Sequence, residues 1–199
     1  MKNKKRCIII HGWDSSPEKA WYQSMKRNLE SDGYKVIIPK MPGTRTPNID
    51  KWVSHISKIV KIPDNNTFFI GHSIGCQAIM RYLESINVKV GGCVFVAGWF
   101  ELKEFAYKEF PEYGDEVRNI ARPWVESKID LKKVRANSKH ITAIFSDDDY
   151  YVDLKNSDIF KKDLGAKIII EHKKGHFSEV NGIKDIPIVY QEISKMLKS

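Results

Sequence analysis

Thr67-Phe68-Phe69-Ile70-Gly71-His72-Ser73-Ile74-Gly75 leads without a break into Cys76 to Ile86, a segment with helical spacing of its apolar residues. The first four residues are β-branched or aromatic and read as a strand. Strand, tight turn and helix around Gly71-x-Ser73-x-Gly75 form the context of a nucleophile elbow. The spacing has a mechanical reason. A serine pushed out of the sheet on a strained turn brings the residues two before and two after it too close to other backbone for a Cβ, hence glycine at both places.

Outward from this point, short β-branched runs alternate with longer helical segments, the pattern of a parallel sheet with helices on both faces. Strands are expected at Cys7 to Ile10, Lys35 to Ile38, Thr67 to Ile70, Gly92 to Ala97, Ile141 to Phe145 and Lys167 to Glu171. Helices are expected at Glu18 to Ser31, Ile49 to Lys61, Ile74 to Ile86, Leu154 to Asp163 and Asp185 to Leu197. The expected fold class is α/β: about six strands, mainly parallel, in one domain over residues 1–199. Gly98 to His140 interrupts the rhythm with no strand and holds Trp99, Phe100, Phe105, Tyr107, Phe110, Tyr113 and Trp124. This insertion reads either as surface helices whose aromatics complete the core or as a small lid or pocket wall. Trp99, two residues past a strand end, is expected on the side of the sheet where such sites lie and is the candidate pocket residue.

A serine hydroxyl is a weak nucleophile until a base takes its proton, and the base needs a carboxylate to orient it. In this architecture the order along the chain is serine, acid, histidine. Ser146-Asp147-Asp148-Asp149-Tyr150-Tyr151-Val152 follows the fifth strand, and Lys173-Lys174-Gly175-His176-Phe177 follows the sixth. His11 and His72 flank other motif positions, His55 is within a helix and His140 precedes its strand. Of His172 and His176, the second follows Gly175 in a loop able to reach Ser73, and it is the expected base. A metal site from Glu171, His172 and His176 lacks the helix that would put them on one face. For the oxyanion, backbone amides are expected from Ile74 and from Trp13 in the loop after the first strand.

Taken together, these residues make the chain resemble a small, abridged α/β-hydrolase, more narrowly the compact serine hydrolases related to retinoblastoma-binding protein nine. The resemblance covers nearly the whole chain: His11-Gly12-Trp13, Trp21 and its helix, Met41-Pro42, the elbow, Met80-Arg81-Tyr82, Arg122-Pro123-Trp124, the Asp run and Gly175-His176-Phe177. It implies Ser73 as nucleophile, His176 as base, one of the aspartates as acid, a short insertion in place of a large cap, and no cofactor. The family commonly carries prolines around the acid. Here the stretch is Asp149-Tyr150-Tyr151-Val152-Asp153, which leaves Asp147, Asp148 and Asp149 as alternatives. Spacing to Val152 favours Asp149, with its two neighbours expected to be solvated or to cap the next helix.

Composition bounds the remaining classes. The chain has 199 residues, 42% of them hydrophobic, and a net charge of +8, half of it from Lys2, Lys4, Lys5 and Arg6. No basic cluster interleaved with aromatics points to nucleic acid. No apolar run approaches the roughly 20 residues that span a bilayer. Cys7, Cys76 and Cys93, an odd number within apolar runs, suit buried thiols, and with too short an apolar stretch for a leader after Arg6 they suggest a cytoplasmic protein. The function expected is hydrolysis of a small-molecule carboxylic ester, with amides or thioesters open to the same machinery. The alternative is a non-catalytic protein-binding module on the same scaffold.

Overall fold

The computed structural model describes residues 4–108 and 116–199. Six strands form one sheet: β1 (Arg6–Ile10), β2 (Lys35–Ile37), β3 (Thr67–His72), β4 (Gly92–Val96), β5 (Ile141–Ser146) and β6 (Lys167–Glu171). Their order is β2-β1-β3-β4-β5-β6, and every pairing is parallel. The helices are α1 (Ala20–Ser31), α2 (Ile49–Val60), α3 (Ile74–Ser85), α4 (Glu116–Glu126), α5 (Leu131–Ala136), α6 (Asn156–Lys162) and α7 (Pro187–Lys198).

Parallel strands covered on both faces are continuous apolar runs, and successive residues face opposite layers. Cys7 and Ile9 pack with α1 and α7, where Tyr22, Met25, Val189 and Ile193 are buried. Ile8 and Ile10 pack with α2 and α3, beside Trp52, Ile56 and Ile79. The three cysteines are free and buried, and burial pushes the Cys93 thiol up to about 12. Among the described residues, no helix is long and apolar enough to cross a membrane.

The chain leaves β1 toward β2 on one side and then crosses to β3 on the other, so the strand order reverses at β1. Crevices at the carboxyl ends of strands flanking such a reversal are where open α/β sheets place their ligands. Here those ends carry the His11-Gly12-Trp13 loop and the Ser73 turn.

Some boundaries differ from expectation for local reasons. The last helix begins at Pro187, not Asp185, because proline suits a first helical position and the residue before it is held extended. The sixth helix begins at Asn156, not Leu154, because Asp153 Oδ1 accepts the Lys155 N–H at 3.0 Å in a turn ahead of it. The insertion holds α4 and α5 together with a 3₁₀ turn at Glu104–Tyr107. Trp99 and Trp124 complete the core, whereas Phe105 is 49% exposed. Phe110 and Tyr113 lie outside the described residues. Arg81 Nη2 donates to the carbonyls of Trp124 at 3.1 Å and Ser127 at 2.9 Å, so α3 fastens α4 to the domain.

A Cβ on Gly75 would lie 2.3 Å from Ile10 O and 2.8 Å from His11 O, both backbone atoms that cannot swing aside. Gly75→Ala is therefore expected to destabilise the fold by more than about 3 kcal/mol. Urea unfolding followed by circular dichroism measures it, and a midpoint near wild type would contradict this packing.

Candidate active site

Ser73 ends the strand and caps α3 with φ 52° and ψ −123°, a left-handed backbone that costs a residue with a Cβ of order 1–3 kcal/mol. The turn persists because its neighbours fix it. Ser73 N–H donates to Val96 O at 2.9 Å, and Cys76 N–H donates to Ser73 O at 2.9 Å. Gly71 is needed at the other flank, since a Cβ there would sit 2.9 Å from Cys76 Cα.

His176 stands across the crevice on the loop after β6. Its Nδ1 lies 2.8 Å from Asp149 Oδ2. The other carboxylate oxygen of Asp149 accepts the amides of Tyr151 at 2.8 Å and Val152 at 3.0 Å, which turns Oδ2 toward the ring. Asp149 and His176 are 3% and 8% exposed, so the pair is largely buried, and His176, like Ser73 at 9%, opens onto a cavity. Asp149, and not Asp147 or Asp148, is the carboxylate in contact with this imidazole. Ser73 and His176 line the same cavity, although among the described residues no hydrogen bond joins them. In unliganded sites that bond is often long and tightens only with substrate.

The cavity, about 290 Å³, is walled by Trp99, Leu102, Ala106 and Val117 from the insertion and by Trp13, Tyr22 and Tyr151 from elsewhere. The insertion thus serves the core and the pocket together. Trp13 is fixed by its indole N–H, which donates to Arg45 O at 2.9 Å. On either side of the Trp13 amide, neighbours are engaged: Gly12 N–H donates to Tyr22 Oη at 3.2 Å and Asp14 N–H to Thr44 O at 3.0 Å. His11, buried below this loop, accepts Met41 N–H on Nε2 at 3.1 Å and has its Nδ1 2.9 Å from Gly12 O.

His72, set aside by sequence reasoning as a motif neighbour, lies at the centre of the hydrogen bonding. Its Nε2 is 2.9 Å from His176 O, and a carbonyl can only accept, so Nε2 carries the hydrogen. Nδ1 then accepts from Tyr22 O–H at 2.7 Å. Burial, reinforced by the His176 imidazole, lowers the His72 pKa to about 3, which keeps it neutral and able to accept. Gly12, Tyr22, His72 and His176 form one directed chain from the loop after β1 to the backbone of the histidine. Asn181 holds the opposite side, accepting His176 N–H at 3.0 Å through Oδ1. Sequence spacing carries no signal for Tyr22 or Asn181, since both arrive from other elements.

Asp147 and Asp148 correct an expectation. Both are exposed, as expected, but instead of capping the next helix they accept hydrogen bonds from the loop that bears His176: Asp147 from Lys173 N–H at 2.9 Å and Asp148 from Gly175 N–H at 2.8 Å. His172 pairs with Asp147 on the surface, so the two histidines of this loop meet different carboxylates.

A parallel sheet, a left-handed serine between strand and helix, and an Asp–His pair on the loops beyond β5 and β6 define an α/β-hydrolase. The serine hydrolase family model matches residues 7–195, and the chain belongs to that family. It is 29% identical to YdeN of Bacillus subtilis, a protein named as a hydrolase, over 192 residues that make up 96% of this chain and 95% of the other. It is 24% identical to the serine hydrolase RBBP9 of Rattus norvegicus over 206 residues, covering 100% and 97% of the two chains. The crystal structure of the ydeN gene product from B. subtilis superposes with a TM-score of 0.87 at 27% identity, over 98% of this chain and all 100% of that one. Est1E from Butyrivibrio proteoclasticus shares the fold at a TM-score of 0.73 and 18% identity, covering 100% of this chain and 90% of its own.

The buried His72 makes stability depend on pH. Its ordinary pKa of 6.5 applies to the unfolded chain and about 3 to the folded one, so between these values the unfolded state binds a proton that the native state does not. The contribution of neutral His72 is complete above pH 6.5 and is lost progressively as pH falls toward 3. With His72→Gln, which cannot titrate, the gap in unfolding free energy between wild type and variant is expected to narrow across that window. Denaturant titrations at a series of pH values measure it, and a constant gap would show that His72 is not buried neutral.

Proposed function

We propose that the protein hydrolyses small carboxylic esters through Ser73, His176 and Asp149. The observation that supports this reading most directly is the buried Asp149–His176 pair, 2.8 Å apart, whose imidazole faces the cavity onto which the left-handed Ser73 opens. A binding module alone gives no purpose to a strained serine beside an oriented imidazole.

In the reaction, Ser73 Oγ attacks the carbonyl carbon while His176 Nε2 takes its proton. Asp149 holds the imidazole with Nδ1–H toward the carboxylate and stabilises the cation that forms. The C=O electron pair moves onto oxygen, and the amides of Trp13 and Ile74 receive that oxyanion. On collapse, the alcohol leaves with the proton from His176 and the acyl group stays on Ser73. Water then attacks the acyl carbon, gives a proton to His176, and the carboxylic acid departs as Ser73 regains its hydrogen. Every proton is held by His176, Ser73, substrate or water. An amide or thioester follows the same path with a different leaving group. The apolar walls suit an apolar acyl group, and Trp99, 1% exposed and buried against the core, is one of those walls.

Ser73→Ala is expected to remove both fluorophosphonate labelling and ester turnover, and Asp149→Asn to lower kcat on the order of 10⁴-fold with the fold intact. Trp99→Ala, by opening the cavity, is expected to shift relative kcat/KM toward longer acyl chains. Steady-state assays on p-nitrophenyl esters of graded acyl length measure all three. Labelling that persists in Ser73→Ala would overturn the assignment of the nucleophile, and an unchanged acyl profile would remove Trp99 from the pocket.

A further inference from the structure

Beyond the residues given roles in the proposed reaction, a dense cluster of polar side chains lies between the end of β5 and the turn after β6. Ser146 Oγ accepts Lys174 N–H at 2.9 Å. Asp148 Oδ1 accepts the Ser146 hydroxyl at 2.7 Å and Gly175 N–H at 2.8 Å. Asp147 holds Lys173 N–H just upstream. Successive amides of the turn leading to His176 are thus taken by side chains from one strand end.

The directions of these bonds are fixed by donor chemistry. An ionised carboxylate has no hydrogen to give, so the Ser146 proton points at Asp148 and a lone pair of the hydroxyl is left for Lys174 N–H. The Ser146 hydroxyl bond leads the interactions that hold the Asp148 carboxyl below its ordinary pKa. Ser146 itself is 1% exposed, so water cannot readily replace it.

The turn needs such support. Lys173, Gly175 and Phe177 have φ of 53°, 51° and 51°, left-handed backbone on both sides of His176. Side chains with a Cβ disfavour that region, and it persists only where the surroundings over-determine it. Released from its acceptors, the turn would relax toward other conformations and carry the imidazole with it.

We propose that Ser146 and Asp148 act together as positioning residues for the His176 loop, setting the place of His176 Nε2 relative to Ser73. The proposal rests on the reading of His176 as the base. Neither residue lines the cavity, so substrate binding is untouched.

The test compares Ser146→Ala, Asp148→Ala, Asp148→Asn and the double alanine variant, with kcat expressed per site titrated by a fluorophosphonate. Each alanine variant is expected to lose about tenfold to a hundredfold in kcat at nearly unchanged KM, the scale of a base displaced by a fraction of its contact distance. Asp148→Asn keeps an oxygen that can accept both bonds and is expected to restore most of the rate. The double variant is expected to be no worse than the weaker single, as for two groups acting as a unit. Near wild-type kcat per site in Ser146→Ala would overturn the proposal, as would an Asp148→Asn variant as impaired as Asp148→Ala. Should Asp148→Ala fail to fold, Ser146→Ala decides alone. Ser73→Ala measured alongside separates the two levels: turnover retained there defeats the reading of the site and this proposal with it. Turnover lost there with normal rates in the positioning variants defeats the proposal only.

Discussion

The left-handed turn at Ser73 is the constraint from which the rest of the site follows. To present a side chain beyond the sheet, the backbone turns from β3 into α3 within one residue, and α3 is thereby driven against the end of β1. Gly75 meets Ile10 and His11 carbonyls so closely that no side chain fits. That closeness brings the loop holding Trp13 beside the serine, the loop from which the proposed chemistry draws one of its two amides. The glycine placement and the close approach of the loop after β1 are consequences of one turn.

The histidine is governed by a different economy of interactions. Its loop is irregular and backbone-strained, so side chains from three parts of the fold hold it: from the end of β5 Asp149 on the ring and the Ser146 and Asp148 pair on the turn before it, from β3 His72 on the carbonyl, and Asn181 on the amide. His72 can accept the Tyr22 O–H on Nδ1 only while neutral, and burial keeps it so. Strain at Ser73, Ala97, Lys173 and Phe177 is concentrated around the crevice, as expected where structure is held for function rather than for stability.

Much of this was legible in the sequence because it is local. Alternating β-branched runs gave the sheet, and Gly71, Ser73 and Gly75 mark the elbow through sterics that act within five residues. Spacing to Val152 favoured Asp149 among three neighbouring aspartates, and it is the carboxylate that contacts His176. What could not be read is long-range. Tyr22 reaches His72 across 50 positions, and the latch between Arg81 and Trp124 joins residues 43 apart, so no spacing announces either. Asp147 and Asp148 are solvent-exposed as expected, but their hydrogen bonds to the His176 loop went unread because the amides they accept lie 26 and 27 positions away.

A crystal structure of the protein after reaction with a fluorophosphonate, in which the serine oxygen displaces fluoride from phosphorus, tests the central claim most directly. The account predicts phosphorus bonded to Ser73 Oγ, with its anionic oxygen within hydrogen-bond distance of both the Trp13 and Ile74 amides and His176 Nε2 facing the serine oxygen. An adduct on any other side chain, or a phosphoryl oxygen turned away from those amides, would contradict it.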